Sequence, residues 1–167
     1  SATGALTTLF EGSGTNRFSP RDRLVQASDG NFYGTTLDDG ANSSGTIFRM
    51  TASGLLTRLY SFTDGSDGQW PRAALVEGRD GYFYGTTTIG GAYGSGTVFR
   101  ISPSGLFTTI LAFDGFDGAN PAAPVVQAAD GNFYGTTANG GEYGFGTVFR
   151  LSVPEPRLSI ALSGSRI

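Results

Sequence analysis

The eight residues Asp29-Gly30-Asn31-Phe32-Tyr33-Gly34-Thr35-Thr36 return as Asp80-Gly81-Tyr82-Phe83-Tyr84-Gly85-Thr86-Thr87, and again as Asp130-Gly131-Asn132-Phe133-Tyr134-Gly135-Thr136-Thr137. The offsets are 51 and 50 residues. From each Asp to the Arg that ends Gly-Thr-Ile/Val-Phe-Arg the spacing is 20: Asp29 to Arg49, Asp80 to Arg100, Asp130 to Arg150. A register kept without insertion through three copies marks a tandem repeat.

Outward from that core, each copy reads as four short strands. Strand a is Leu24-Val25-Gln26-Ala27, matched by Leu75-Val76 and Val125-Val126. A tight Asp-Gly turn leads to strand b, Phe32 to Thr36, because Asp-Gly between apolar runs tolerates the positive φ of a hairpin turn. Strand c, Thr46 to Met50, alternates β-branched and aromatic residues. A second short turn, Ala52-Ser53-Gly54 or Pro103-Ser104-Gly105, opens strand d, Leu55 to Phe62 in the first copy. No stretch carries a 3.6-residue apolar period, so no long helix is expected.

Four antiparallel strands per fifty residues is the pattern of a β-propeller blade. Gly4-Ala5-Leu6-Thr7-Thr8-Leu9-Phe10 matches strand d, whereas the last copy stops after strand c at Leu151. The fold expected is therefore all-β, a propeller-like array of three four-stranded antiparallel blades. The domain spans 1–151, with repeat units at about 13–62, 63–113 and 114–151 and strand 4–10 completing the last blade. A β-trefoil, also twelve strands in three repeats, is the alternative. Residues 152–167 read as a linker and a tail strand, since Leu158, Ile160 and Leu162 alternate with Ser159 and Ala161.

Composition narrows the chemistry. The chain has 167 residues and a net charge of −3, from 11 basic and 14 acidic side chains. Nothing there steers it toward nucleic acid or an anionic membrane. Every basic residue is Arg, and Lys, His and Cys are absent. Imidazole bases, Schiff-base lysines, cysteine nucleophiles and His or thiolate metal ligands are thereby excluded. No apolar run approaches the length of a membrane span. Ser1 begins no signal peptide, so the chain reads as mature or as a fragment.

Tyr84-Gly85-Thr86-Thr87, Gly90-Gly91 and Gly96-Thr97-Val98-Phe99 resemble the bacterial "GloVer" repeat of choice-of-anchor tandem-repeat proteins. The likeness covers about residues 4 to 151, and the first copy departs from it at Asp39-Gly40-Ala41. The resemblance implies a secreted or cell-surface protein and no enzyme activity. Val153-Pro154-Glu155-Pro156 is similar to a short sorting signal, but no apolar span and basic tail follow it.

Strand direction places the b–c and d–a loops at one end of each blade, the face where a rigid scaffold presents function. The b–c loops carry Tyr93, Tyr143 and Phe145 between glycines, and the d–a loop of the second copy carries Trp70. These four rings are the candidate ligand-binding residues, able to stack on sugar or to anchor a protein, unless they fold back onto the core. Asp64, Asp67, Asp114 and Asp117 pair carboxylates in the d–a loops and are the candidate Ca²⁺ ligands, although Asp-Gly is also ordinary turn chemistry. The pairs Asp29–Arg49, Asp80–Arg100 and Asp130–Arg150 read as structural ion pairs pinning the a–b turn. Gly34, Gly85 and Gly135, at one phase of strand b, read as points of close packing between blades.

These features point to a non-catalytic extracellular repeat scaffold for assembly or adhesion, with no required cofactor. Three blades bend too tightly to close a ring. Strand exchange between identical chains would then give a homo-oligomer or filament. The alternative is a carbohydrate-binding module using the loop aromatics, with a glycan or surface partner.

Overall fold

A computed structural model describes residues 3–13 and 18–153. It holds eleven strands in three antiparallel sheets, with no helix among the described residues. The first sheet is β1 (Val25–Gln26), β2 (Phe32–Thr36), β3 (Thr46–Met50) and β4 (Leu56–Ser61), in that order. The second repeats it with β5 (Val76–Glu77), β6 (Phe83–Thr87), β7 (Thr97–Ile101) and β8 (Phe107–Ala112). The third has three strands, β9 (Val126–Gln127), β10 (Phe133–Thr137) and β11 (Thr147–Leu151), with β11 at its edge. Each sheet is a simple meander, as in a propeller blade.

The two tight turns of a blade are built alike. In the a–b turn the Gly30 N–H donates to Ala27 O at 2.9 Å, and Gly30 takes a φ of 81°. In the c–d turn the Gly54 N–H donates to Thr51 O at 3.0 Å, with a φ of 89°. Only the glycine is left-handed, so these are longer turns closed by an αL residue rather than two-residue Asp-Gly hairpins. Strand d is bulged: Ile47 and Phe48 face Tyr60 and Arg58, leaving Leu59 extra, and Ile110 is the extra residue opposite Val98 and Phe99. The bulge turns Leu59 and Ile110 toward the following blade, where both join the core.

The core lies between blades. One face of blade 1 meets Leu75, Phe83, Phe99 and Ile101 of blade 2. The same pairing recurs one blade on, where Tyr84 meets Val125 and Phe133. Tyr33 stacks on Phe83 at 3.9 Å between centroids, and Tyr84 on Phe133 at 4.0 Å. Polar contacts follow the same rule. Ser28 donates to Glu77, and the Arg79 N–H to Gln127 Oε1 at 3.0 Å. Sheets packed face to face at repeated contacts make the fold a β-propeller-like array.

Gly34, Gly85 and Gly135 have a different cause from close packing between blades. Gly85 pairs with Phe99 across β6 and β7, and a Cβ there would lie 2.5 Å from Phe99 Cζ and 2.9 Å from Leu75 Cδ2. Gly34 meets Phe48 and Leu24 in the same way, and Gly135 meets Phe149. The glycine makes room for the cross-strand ring of its own blade. Gly85→Ala is therefore expected to cost about 1–3 kcal/mol through overpacking. A denaturant midpoint equal to that of the parent protein would refute the account.

Within one chain, residues 4–10 do not complete the third blade. The described residues 3–10 form no strand, and β11 keeps an open edge. The segment lies instead beside blade 1, where Phe10 packs on Phe18 and Phe18 on Phe48. The expected tail strand at Leu158 to Leu162 lies outside the described residues.

Candidate functional site

At the turn end of each blade the expected ion pairs are not formed. Among the described residues the salt bridge that forms is Arg58 Nη2 to Asp39 Oδ2, at 2.9 Å. Asp29 is satisfied locally: it accepts from the Asn31 N–H at 2.9 Å, from Asn31 Nδ2 at 2.9 Å and from the Tyr33 hydroxyl at 2.8 Å. Asp80 accepts from the Tyr82 N–H and the Tyr84 hydroxyl, and Asp130 from Asn132 and the Tyr134 hydroxyl. Arg49, Arg100 and Arg150 stand across the ladder from those tyrosines. Arg100 lies over the Tyr82 ring at 4.8 Å, a cation–π contact. A carboxylate two and four residues from its donors closes its bonds before a long side chain on another strand can compete.

The hydrogen bonds from Asn31 hold the Asp29 carboxyl below its ordinary value, helped by Tyr33 and the Arg49 charge. Burial, then the Asp80 carboxylate, pushes Tyr84 up to about 12, and Tyr33 is raised likewise to about 12. These hydroxyls remain donors throughout the neutral range. The role of the tyrosine was readable in principle, since Asp-x-x-x-Tyr spans every a–b turn.

The loop end holds the other candidates. Backbone bonds tie the b–c and d–a loops together, from the Gly91 N–H to Gly65 O at 3.0 Å and from the Gly141 N–H to Gly115 O at 2.9 Å. Each b–c loop tip is a turn, Gly91 to Gly94 and Gly141 to Gly144, with Tyr93 and Tyr143 at the third position. Tyr93 is 67% exposed, Tyr143 77% and Phe145 92%. They do not fold back onto the core. In the first copy Asn42 takes the place of the tyrosine and binds Thr63 O through Nδ2 at 3.0 Å. Asp39, where the later copies have Gly, is held there by Arg58. Trp70 is half-buried, with a φ of 59° and its backbone N–H donating to Ser44 O. No ring contact among the described residues joins these four aromatics.

The loop carboxylates work as turn acceptors. Buried Asp67 accepts from the Thr63 N–H at 2.8 Å, Thr63 Oγ1 at 2.7 Å, the Tyr60 hydroxyl at 2.9 Å and the Gly65 N–H. Burial alone would raise its carboxyl, but the bonds from Thr63 and Tyr60 outweigh it and hold the group below its ordinary value. Asp114 caps the Phe116 and Asp117 N–H groups, and Asp117 accepts from the Asp114 N–H. Asp64 is an exposed residue with a φ of 66°. No group of three or more His, Cys, Asp or Glu is gathered among the described residues. A feature missed in the sequence is a cavity of about 260 Å³ lined by Arg21, Leu37 and Arg72. Its signal was Pro-Arg recurring at Pro20-Arg21 and Pro71-Arg72, then lost at Pro121-Ala122.

Stacked antiparallel meanders of four, four and three strands define a β-propeller-like repeat protein. The chain belongs to the Gloeobacter/Verrucomicrobia repeat family, whose pattern matches residues 1–163. Comparison with curated proteins finds no match. Among solved structures the chain is similar to a protein provisionally assigned as a gluconolactonase, at 15% identity and a TM-score of 0.48. That likeness covers 77% of this chain and 43% of the other, so the chain spans less than half of that protein's length.

Proposed function

We propose that this chain is a non-catalytic repeat scaffold that acts outside the cell in assembly or adhesion. The observation that carries this is the apolar face left open on the third blade. Val98, in the middle of the array, is fully buried, whereas its counterpart Val148 is 80% exposed. Val126 on the same face is 60% exposed. A contiguous apolar face rimmed by polar residues is the mark of an interaction surface. The commitment of Asp29, Asp67, Asp80 and Asp130 to structural hydrogen bonds supports a role other than acid–base catalysis. No helix among the described residues is long and apolar enough to cross a membrane. Solution mass is expected to rise with protein concentration, and added protease is expected to digest the protein on intact cells. A constant monomer mass together with protection inside cells would overturn the proposal.

The exposed tips favour a second reading, a carbohydrate-binding module. Tyr93, Tyr143 and Phe145 offer flat apolar faces on loops fixed by backbone bonds, at little entropic cost. A glycan array is expected to show binding that Tyr93→Ala and Tyr143→Ala abolish, with no fall in melting temperature. Binding to no sugar would remove this reading, and a lower melting temperature in both variants would return the rings to the core.

A further inference from the structure

We propose that the open face of blade 3 takes the blade 1 end of a second copy of this chain, and that residues 5–10 of that copy become the fourth strand beside β11. This rests on the assembly reading and names its partner. The two interfaces inside the chain provide the template, because each face of the third interface is already present.

The donor face is blade 3. Val126, Tyr134, Gly135, Thr136 and Val148 line a groove of about 220 Å³ where a following blade would pack. The receiving face is blade 1, where Leu9, Phe10, Phe18, Leu24, Phe48 and Met50 line a groove of about 320 Å³. Residue by residue the faces fit. Tyr33 and Tyr84 stack on the Phe that opens strand b of the next blade. Among the described residues Tyr134 has no such partner, and Phe32 of the second copy is the matching ring. Thr35 Oγ1 and Thr86 Oγ1 donate to Ala73 O and Ala123 O, so Thr136 would donate to Asp22 O. The Arg79 N–H donates to Gln127 Oε1, so the Ala129 N–H would donate to Gln26.

The amino-terminal segment, though not a strand, already occupies the place that the last strand of a preceding blade would take. A Cβ on Gly105 would meet Leu59 O at 3.1 Å, and a Cβ on Gly54 would meet Leu9 O at 2.7 Å. Leu9 thus stands toward blade 1 as the bulge residue Leu59 stands toward blade 2. What that segment lacks is a strand c, and what β11 lacks is a strand d. The β7–β8 register, in which Ile101 faces Phe107 and Arg100 faces Thr108, dictates the pairing. Leu6 would face Leu151, Thr7 Arg150, Thr8 Phe149 and Phe10 Val148, with Leu9 as the bulge. The contact joins unlike surfaces, so two copies close a six-bladed ring or successive copies form a filament. Strand addition at an open edge supplies the backbone bonds.

The chain has no cysteine, which makes the register directly testable. Mixing Thr7→Cys with Arg150→Cys under oxidising conditions is expected to give a one-to-one crosslinked pair. The double variant is expected to give a closed covalent dimer or a ladder. Pairing Thr7→Cys with Ser152→Cys, two residues out of register, should crosslink at least tenfold more slowly. Val148→Asp, at an exposed position, is expected to leave the melting temperature unchanged and hold the protein monomeric. Association that persists in Val148→Asp, or equal crosslinking in both registers, overturns this inference and leaves the assembly reading standing. A monomer at every concentration overturns both.

Discussion

Phe99→Ala is expected to be the most damaging of the substitutions considered, at about 3–5 kcal/mol. The ring is fully buried in the interface between blades 1 and 2. It meets Phe62 edge-on at 5.4 Å and Phe107 at 5.3 Å between centroids. Its flank also covers Gly85, so removal opens a cavity that touches three strands. Phe149 holds the same place in blade 3 but is half-buried, with Phe113 as its ring neighbour. Phe149→Ala is expected to cost clearly less, because an edge strand lets solvent and neighbours fill the space. Urea unfolding of both variants checks this through their midpoints at constant slope. Equal losses would show that the interface between blades 1 and 2 is not the centre of stability.

The second large effect is expected at Asp67. Asp67→Ala removes a buried carboxylate that accepts from the half-buried Tyr60 hydroxyl and from the exposed Thr63 and Gly65. Water reaches Thr63 and Gly65, so the loss of the charged hydrogen bonds, the one from Tyr60 above all, costs about 1.5–3 kcal/mol. At the equivalent position Asp117 is exposed and Leu111 replaces the tyrosine, so Asp117→Ala should cost less than about 1 kcal/mol. The carboxyl of Asp67 lies below its ordinary value in the folded chain. Its contribution is therefore complete above about pH 4 and is lost as the pH falls through the lowered folded value. Asp67→Asn should be less stable than the parent at neutral pH, with the gap narrowing in acid. A gap that stays constant from pH 7 to pH 2 would show that the charge contributes nothing.

Strands b and c were legible residue for residue, because Phe32–Thr36 and Thr46–Met50 are bounded by glycine turns and alternate in side-chain type. Strand a is shorter than its apolar run, reduced to Val25–Gln26, since Leu24 leaves the ladder to lie against Gly34. Repeated spacing proved a poor guide to pairing. Asp29 and Arg49 keep their 20-residue spacing, yet the carboxylate bonds Asn31 and Tyr33, which reach it with less loss of chain entropy. The loop tyrosines were ambiguous for a related reason. Whether a ring between glycines turns inward depends on neighbouring loops, and here backbone bonds to the d–a loop accompany tips whose rings are exposed.

The sequence by itself determined the repeat, the four-strand unit, the end of the blade that carries the long loops and the residue types that are missing. All of these rest on local rules: turn residues, side-chain alternation and composition. Only the tertiary structure decided which faces are covered. Val98 and Val148 occupy the same place in identical Gly-Thr-Val-Phe-Arg segments, yet the first is fully buried and the second 80% exposed. Burial is set by the blade that packs on a residue, and in a stacked repeat that blade lies about fifty positions away in the chain.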